Sequence, residues 1–338
     1  MKALRLVAAA TPLLEVELPD PEPGPGEVVV RVGAAGICRS DTHYRSGDPK
    51  LPPLPRVLGH EIAGTIAFVG SEASLAVGDR VALHYQVACG ACDACGRGND
   101  RFCPFGEMVG NHRDGGYAEY VVVPERNAVA VPAGIDLAHA AVMMCSSVTA
   151  LHALRKARLG PGERVAVYGV GGLGMSAIQL ARSLGASAVY AIDIDAARLE
   201  LAAEFGATPI DASGEDPVVA LQATGGVDVA VEMVGLATTT LQAVRSLRPQ
   251  GRAAAAGLTG EQTAISVYED LMSREGELIG VMDHTLAEAH EVLDLAERGV
   301  LRLDRVVTRR VRLDGDEVNG ALDDLARFGP GVRTVINP

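Results

Sequence analysis

The 338-residue chain contains no tryptophan, and aromatic residues make up only 4% of it. Its core must be built from Ala, Val, Leu and Gly, a composition that suits an α/β protein. No run of five or more basic residues occurs, and the formal net charge is −13. Such a chain is poorly suited to a polyanion, so neither nucleic acid nor a membrane surface is expected as a partner. An uninterrupted apolar stretch of 18 residues is also lacking, so no transmembrane helix is expected. The N-terminal MKALRLVAAATPLLEVELPD begins basic and apolar, but Arg5, Thr11 and Pro12 interrupt it and Glu15, Glu17 and Asp20 follow. A pair of β-strands is expected there, not a secretory signal. Cysteines number only six, yet four of them fall in the fifteen residues CGACDACGRGNDRFC at 89–103. In the cytoplasm, the compartment expected here, thiols stay reduced, and clustered cysteines suggest a metal before a disulfide.

The length suits about two domains. The first 130 residues are rich in Gly and Pro, with short β-like runs between turn signals: EVVVRV (27–32), AGTIAFVG (63–70), DRVALHY (79–85), YAEYVVV (117–123) and AVAVP (128–132). That rhythm predicts a β-rich barrel or sandwich-like unit. Near residue 136 the character changes. A helix is expected over 137–159, and then strands alternate with helices of about ten residues, the signature of βαβ units and a parallel sheet. The strands are RVAVYGV, AVYAIDI, GVDVAVEMVG and GRAAAAG, with ELIGV (277–281) expected as one more. After residue 285 a helix leads to VVTRRVRL, a last helix and VRTVINP, a tail that fits the first domain better than the second.

GVGGLG at 169–174 follows the apolar strand and opens an amphipathic helix, and Asp193 ends the next strand nineteen positions after Gly174. Together these are the parts of a dinucleotide fingerprint. Gly169 permits the tight turn, Gly171 lets backbone approach a pyrophosphate, and Gly174 lets helix and strand pack closely. Gly172 and Leu173 complete the loop, whose helix N-terminus offers unpaired N–H groups to phosphates. Asp193 can accept hydrogen bonds from both ribose hydroxyls and would repel a 2′-phosphate, which favours NAD over NADP.

The cluster Cys89, Cys92, Cys95 and Cys103 has the spacing C-x2-C-x2-C-x7-C. Four thiolates on a loop made pliant by Gly90, Gly96 and Gly98 can wrap one tetrahedral zinc and leave no open position, which makes the site structural. An iron–sulfur cluster or a zinc ribbon are the other readings, although a ribbon usually has two separated knuckles. Cys38 in GICRSDTH, His60 in GHEIAG and Cys145 in AAVMMCSSVTALHAL could hold a second zinc with its fourth position open, the catalytic geometry. Taken singly, each is more often a packing cysteine or a satisfied structural histidine.

Jointly, GICRSDTH, GHEIAG, the four-cysteine loop, Cys145 followed by Thr149, GVGGLG with Asp193, and the terminal GVRTVINP resemble the zinc-dependent medium-chain dehydrogenase/reductase family, the alcohol dehydrogenases. These motifs span nearly the whole chain in the family's order. The resemblance implies an α/β protein: a GroES-like catalytic domain of residues 1–145, with 286–338 returning to it, and a doubly wound Rossmann domain of 146–285, with the active site in the cleft between them. Cys38, His60 and Cys145 would hold catalytic zinc, and Glu61 would approach it transiently while ligands exchange. Asp41 would orient His60, Ser40 would take the alcohol's proton, and His43 would pass it to solvent by way of the cofactor ribose. Arg39 and Arg333 would lie on the pyrophosphate, Arg198 on the adenosine ribose, Thr149 near the nicotinamide and Tyr85 in the substrate pocket. The implied activity is reversible, NAD-dependent oxidation of an alcohol to an aldehyde or ketone, with two zinc ions per subunit. A polyol, amino alcohol or acyl-CoA-linked alcohol is the alternative substrate, and a non-catalytic NAD- or zinc-binding relative the remote one. A homo-oligomer is implied, with a tetramer favoured over a dimer.

Overall fold

The computed structural model describes residues 1–47 and 52–338. The chain divides into two units, Met1–Cys145 with His284–Pro338, and Ser146–Asp283.

The first unit is β-rich. Its N-terminal run forms the strands Lys2–Leu6 and Leu14–Glu17, paired antiparallel, because Thr11 and Pro12 break the apolar stretch where the chain must turn. The main sheet runs in the order Ala128–Ala130, Arg80–Leu83, Glu61–Val69, Glu27–Ile37, Arg333–Asn337, Val307–Arg312, with Tyr120–Pro124 also paired to Glu27–Ile37. Long strand Glu27–Ile37 is the hub, and its alternating Val28, Val30 and Val32 enter a core shared with Leu4, Ile62, Ile66, Leu83 and Tyr117. The C-terminal strand belongs to this sheet: Thr334 pairs with Ile37 and Ile336 with Ala35. That pairing carries Arg333 to the end of the strand that leads into Cys38.

The second unit holds a six-stranded parallel sheet in the order Thr208–Asp211, Ala188–Asp193, Arg164–Tyr168, Val227–Glu232, Leu247–Ala255, Glu277–Gly280. The strand order reverses beside Arg164–Tyr168, the switch point at whose carboxyl end open α/β sheets bind ligands. Thr208–Asp211 escaped the sequence reading. It is an edge strand of four residues with only Ile210 buried, so it has no apolar run to betray it.

The helix expected over 137–159 is broken in kind, if not in direction. Leu137–Val142 and Val148–Lys156 are α-helical, and Met143–Ser147 between them is a π-helical turn. By length and composition alone, the stretch Leu137–Lys156 is apolar enough to cross a membrane. It is 89% buried inside the protein, as a core helix is.

Candidate active site and dinucleotide loop

Cys38, the adjacent pair His60 and Glu61, and Cys145 come from three different places in the first unit, and their ligand atoms lie within 4.8 Å of one another. Cys38 caps the helix Arg39–Ser46. His60 directly precedes the strand Glu61–Val69, which Glu61 begins, after Gly59 at φ 93°, where a side chain would strike the Tyr117 ring. Cys145 sits in the π-helical turn, whose extra residue re-aims a side chain that a regular helix would present elsewhere. All four residues are buried.

The chemistry of this donor set fits zinc. Tetrahedral zinc–thiolate bonds of about 2.3 Å put sulfurs about 3.8 Å apart. The Cys38 and Cys145 sulfurs are 3.9 Å apart, far beyond any disulfide. They share charge as a pair. Contact with Cys145 pulls the Cys38 thiol well below its usual range, against its burial, and His60 helps. Cys145 is pushed the other way by Cys38 and by burial. Burial lowers the His60 basicity, but Asp41 and Cys38 outweigh it and hold the ring well above the usual histidine range. Glu61 keeps one carboxylate oxygen, Oε1, buried and without a hydrogen-bond partner. Burial pushes its carboxyl up to about 7, opposed by the Arg333 guanidinium.

Asp41 has two tasks. Its Oδ2 accepts from the Cys38 backbone N–H at 2.9 Å, closing the first turn of the helix, and from the Tyr117 hydroxyl at 2.9 Å. Its Oδ1 stands 3.4 Å from His60 Nδ1, where it can orient the ring. Tyr117 was not singled out from the sequence, because nothing in YAEYVVV distinguishes a hydroxyl that braces a carboxylate from one that faces water. Ser40 and His43 lie three positions apart on the helix and so share a face. The Ser40 hydroxyl is 3.6 Å from the Cys38 sulfur.

Arg333 begins the C-terminal strand Arg333–Asn337. It is 6% exposed and ion-paired with Glu61, because a carboxylate buried at the end of this sheet needs a countercharge. A Cβ on Gly36 would run into that carboxylate, so glycine there makes the pairing possible. Arg39 lies over the Phe328 ring at 3.7 Å and donates to the Leu325 carbonyl at 3.2 Å.

Cys89, Cys92, Cys95 and Cys103 also gather within 4.8 Å. The measured sulfur separations are 3.5 Å (Cys92–Cys95), 3.9 Å (Cys92–Cys103) and 4.0 Å (Cys89–Cys95), close to the tetrahedral value. The backbone N–H groups of Ala91 and Cys92 draw the Cys89 thiol down to about 6, while burial and Cys92 raise Cys95 to about 12. Cys89 is therefore ready as a thiolate near neutral pH, the form in which a cysteine binds a metal.

In the second unit, Gly169 takes φ 83° at the end of its strand, and Gly171 caps the helix Gly172–Ser183. A Cβ on Gly174 would collide with the Gly169 carbonyl, whereas one on Gly171 would meet nothing within 4 Å. The second glycine thus opens space at a helix N-terminus, as a cradle for a pyrophosphate requires. Asp193 shapes this cradle: Oδ2 accepts from Val170 N–H at 2.8 Å, and Oδ1 from Ile194 and Asp195 at 2.8 and 3.1 Å. Arg198 stands on the next helix with Nε 3.7 Å from Asp195, and Thr149 lies buried on Val148–Lys156.

Residues 24–133 match the alcohol dehydrogenase GroES-like domain, and residues 172–298 the zinc-binding dehydrogenase domain. An NAD-dependent alcohol dehydrogenase of Sulfolobus acidocaldarius is 32% identical over 345 residues, covering 99% of each chain. The chain belongs to the zinc-dependent medium-chain dehydrogenase/reductase family. Among solved structures of the family, the alcohol dehydrogenase of Aeropyrum pernix is 33% identical with a TM-score of 0.92, covering all of both chains. A zinc-binding dehydrogenase of Sinorhizobium meliloti bound to NADP is 32% identical with a TM-score of 0.89, covering 100% of this chain and 99% of its own. The two halves of the family's architecture, GroES-like and Rossmann, correspond to the β-rich and parallel-sheet units described above.

Proposed function

We propose that this protein is an NAD-dependent zinc alcohol dehydrogenase that moves a hydride between an alcohol and the nicotinamide, reversibly giving an aldehyde or ketone. The observation that carries the reading is the buried quartet of Cys38, His60, Glu61 and Cys145, directly beside a helix that bears Ser40 and His43. Cys38, His60 and Cys145 would hold a zinc ion there, which would supply the Lewis acidity that brings an alcohol's pKa toward neutrality, with NAD as the hydride acceptor when bound. The remaining work is done by this chain. Asp41, braced by Tyr117, fixes the His60 ring. Ser40 takes the hydroxyl proton, and His43, one turn along, hands it on toward solvent. Glu61, balanced by Arg333, is close enough to join the metal when a ligand leaves. Tyr85, edge-on to the His60 ring at 5.2 Å, walls the substrate side. Gly169, Gly171, Gly172, Leu173 and Gly174 receive the pyrophosphate, Asp193 the adenosine ribose, with Arg198 and Thr149 near its two ends.

The second zinc belongs to Cys89, Cys92, Cys95 and Cys103, which gives two per subunit. Six thiols used as two metal sites fit the reducing cytoplasm. Strand Glu277–Gly280 is an end strand of the parallel sheet, with no second neighbour among the described residues, and Val267, Tyr268, Met272 and Met282 of the same unit are exposed. That edge supports pairing between two copies, and a tetramer built from such dimers is the proposed assembly.

A turnover panel tests the reading. Primary, secondary, polyol and amino alcohols are offered with NAD⁺ and NADP⁺, with zinc quantified in the same preparation. NAD⁺-linked oxidation with two zinc ions per subunit is expected. Two bound zinc ions with no alcohol turned over would sink the activity, and turnover with NADP⁺ alone would sink the assignment of Asp193.

A further inference from the structure

Two buried groups stand between the four-cysteine lobe and the active site. Asp100 lies in the short helical turn Asp100–Phe102 of the lobe, just before Cys103, and is 7% exposed. Its Oδ2 is 3.3 Å from Nε2 of His84, which is 1% exposed. Two buried polar groups of opposite tendency hold each other, since neither has water to turn to. His84 then begins a run of packed rings. It stacks on Tyr85 at 6.0 Å and 22°, and its ring lies 5.2 Å from His284. Tyr85 meets His284 edge-on at 4.9 Å and 77°, and His60 edge-on at 5.2 Å and 82°. The sequence from lobe to metal ligand is therefore Asp100, His84, Tyr85, His60, with His284 closing the side.

Backbone and side chain are held separately along this path. The His84 backbone is clamped by Asn127, donating to the Asn127 carbonyl at 2.9 Å and accepting from its Nδ2 at 2.6 Å. The Tyr85 carbonyl accepts from Val109 N–H at 2.9 Å. The His84 imidazole, by contrast, meets its carboxylate in the lobe.

We propose that the lobe positions the catalytic centre as well as stabilising the fold: Asp100 and His84 act as positioning residues that hold Tyr85 against His60. The inference rests on the assignment of Cys38, His60 and Cys145 to a catalytic metal. It extends that assignment by making the alcohol side of the site depend on a residue of the other cysteine cluster.

The test uses the full-length protein loaded with zinc, and in parallel a hybrid with zinc in the lobe and cobalt at the Cys38, His60 and Cys145 site, whose visible absorption bands then report the ligand field there. Asp100→Ala is expected to keep both metals, raise KM for the alcohol about tenfold, leave KM for NAD⁺ within twofold and shift the cobalt bands. Asp100→Glu is expected to recover part of the loss. Should Asp100→Ala shed the lobe metal or fail to fold, His84→Phe carries the same test. It leaves the lobe untouched, keeps a ring beside Tyr85 and removes only the link, and the same shift in the alcohol KM and the cobalt bands is expected. Unchanged alcohol kinetics together with unchanged bands in the folded, metal-loaded variant overturns the proposal. A wild-type protein that turns over no alcohol would instead overturn the proposed activity, and the cobalt bands would still decide whether the lobe reaches the metal site.

Discussion

The lobe cysteines and the buried quartet reach similar geometry by opposite routes. Cys89, Cys92, Cys95 and Cys103 occupy fifteen residues, and of these four cysteines only Cys103 is buried. Cys38, His60, Glu61 and Cys145 span more than a hundred positions, and every one is buried. The first site is closed by its own short loop, so its integrity depends on the metal. The second is assembled by a sheet, a helix cap and a π-helical turn, so its arrangement depends on the fold. A site intended to exchange ligands gains from the second design, because the surrounding core keeps the donors in place while one position changes hands.

Substitutions at the two sites should therefore differ in kind. The largest effect is expected at Cys38→Ser: about one zinc per subunit is lost and kcat falls by roughly three orders of magnitude or more, while the apparent Tm changes little. Atomic absorption, a melting curve and initial rates check this together. Cys92→Ser should do the reverse, lowering Tm steeply as one zinc leaves while the Cys38 site stays loaded, because a structural zinc contributes directly to folding. If both variants lost the same property, the distinction between the sites would fail.

Asp41→Asn sharpens the contrast within the buried site. It keeps the size but weakens the hold on His60, and a loss of about 10–100-fold in metal affinity or kcat/KM is expected. For the cofactor unit, Asp193→Ala should raise KM for NAD⁺ about tenfold and narrow the preference over NADP⁺, since it removes both the ribose acceptor and the brace on Val170.

The smallest effect concerns stability and pH. Burial would raise the Glu163 carboxyl, but Arg252, at 2.7 Å, and the Gly160 N–H hold it below the usual carboxylate range. A depressed folded-state pKa adds stability above the unfolded value, about 4.3, and that stability is lost as the pH falls through the lower folded value. Glu163→Gln should cost roughly 0.5–1 kcal/mol at neutral pH. The gap between the two melting curves should close below about pH 3; a gap that persists there would assign the loss to packing.

What could be read before folding was whatever lies close along the chain. The lobe's spacing, GVGGLG with Asp193, and the alternation of strands and helices are local patterns. The physics behind them, tetrahedral thiolate geometry and a glycine turn before a helix, acts over a few residues. Cys38, His60 and Cys145 were legible only through the joint pattern, since each alone resembles an ordinary buried residue. Thr208–Asp211 was missed for want of an apolar run, and Tyr117, His284 and Asp100 for want of any local mark.

Tertiary structure alone decided three things. The antiparallel return of Arg333–Asn337 beside Glu27–Ile37 turned Arg333 onto Glu61. The π-helical turn aimed Cys145 at Cys38, where the sequence suggested one plain helix. The packing of Tyr85 joined His84, which contacts Asp100 of the lobe, to His60. In each case the partner lies far away in sequence, and a buried charge or ring finds its place only when the sheet brings that partner to it. The sequence by itself determined the chemistry available; the fold determined which groups meet.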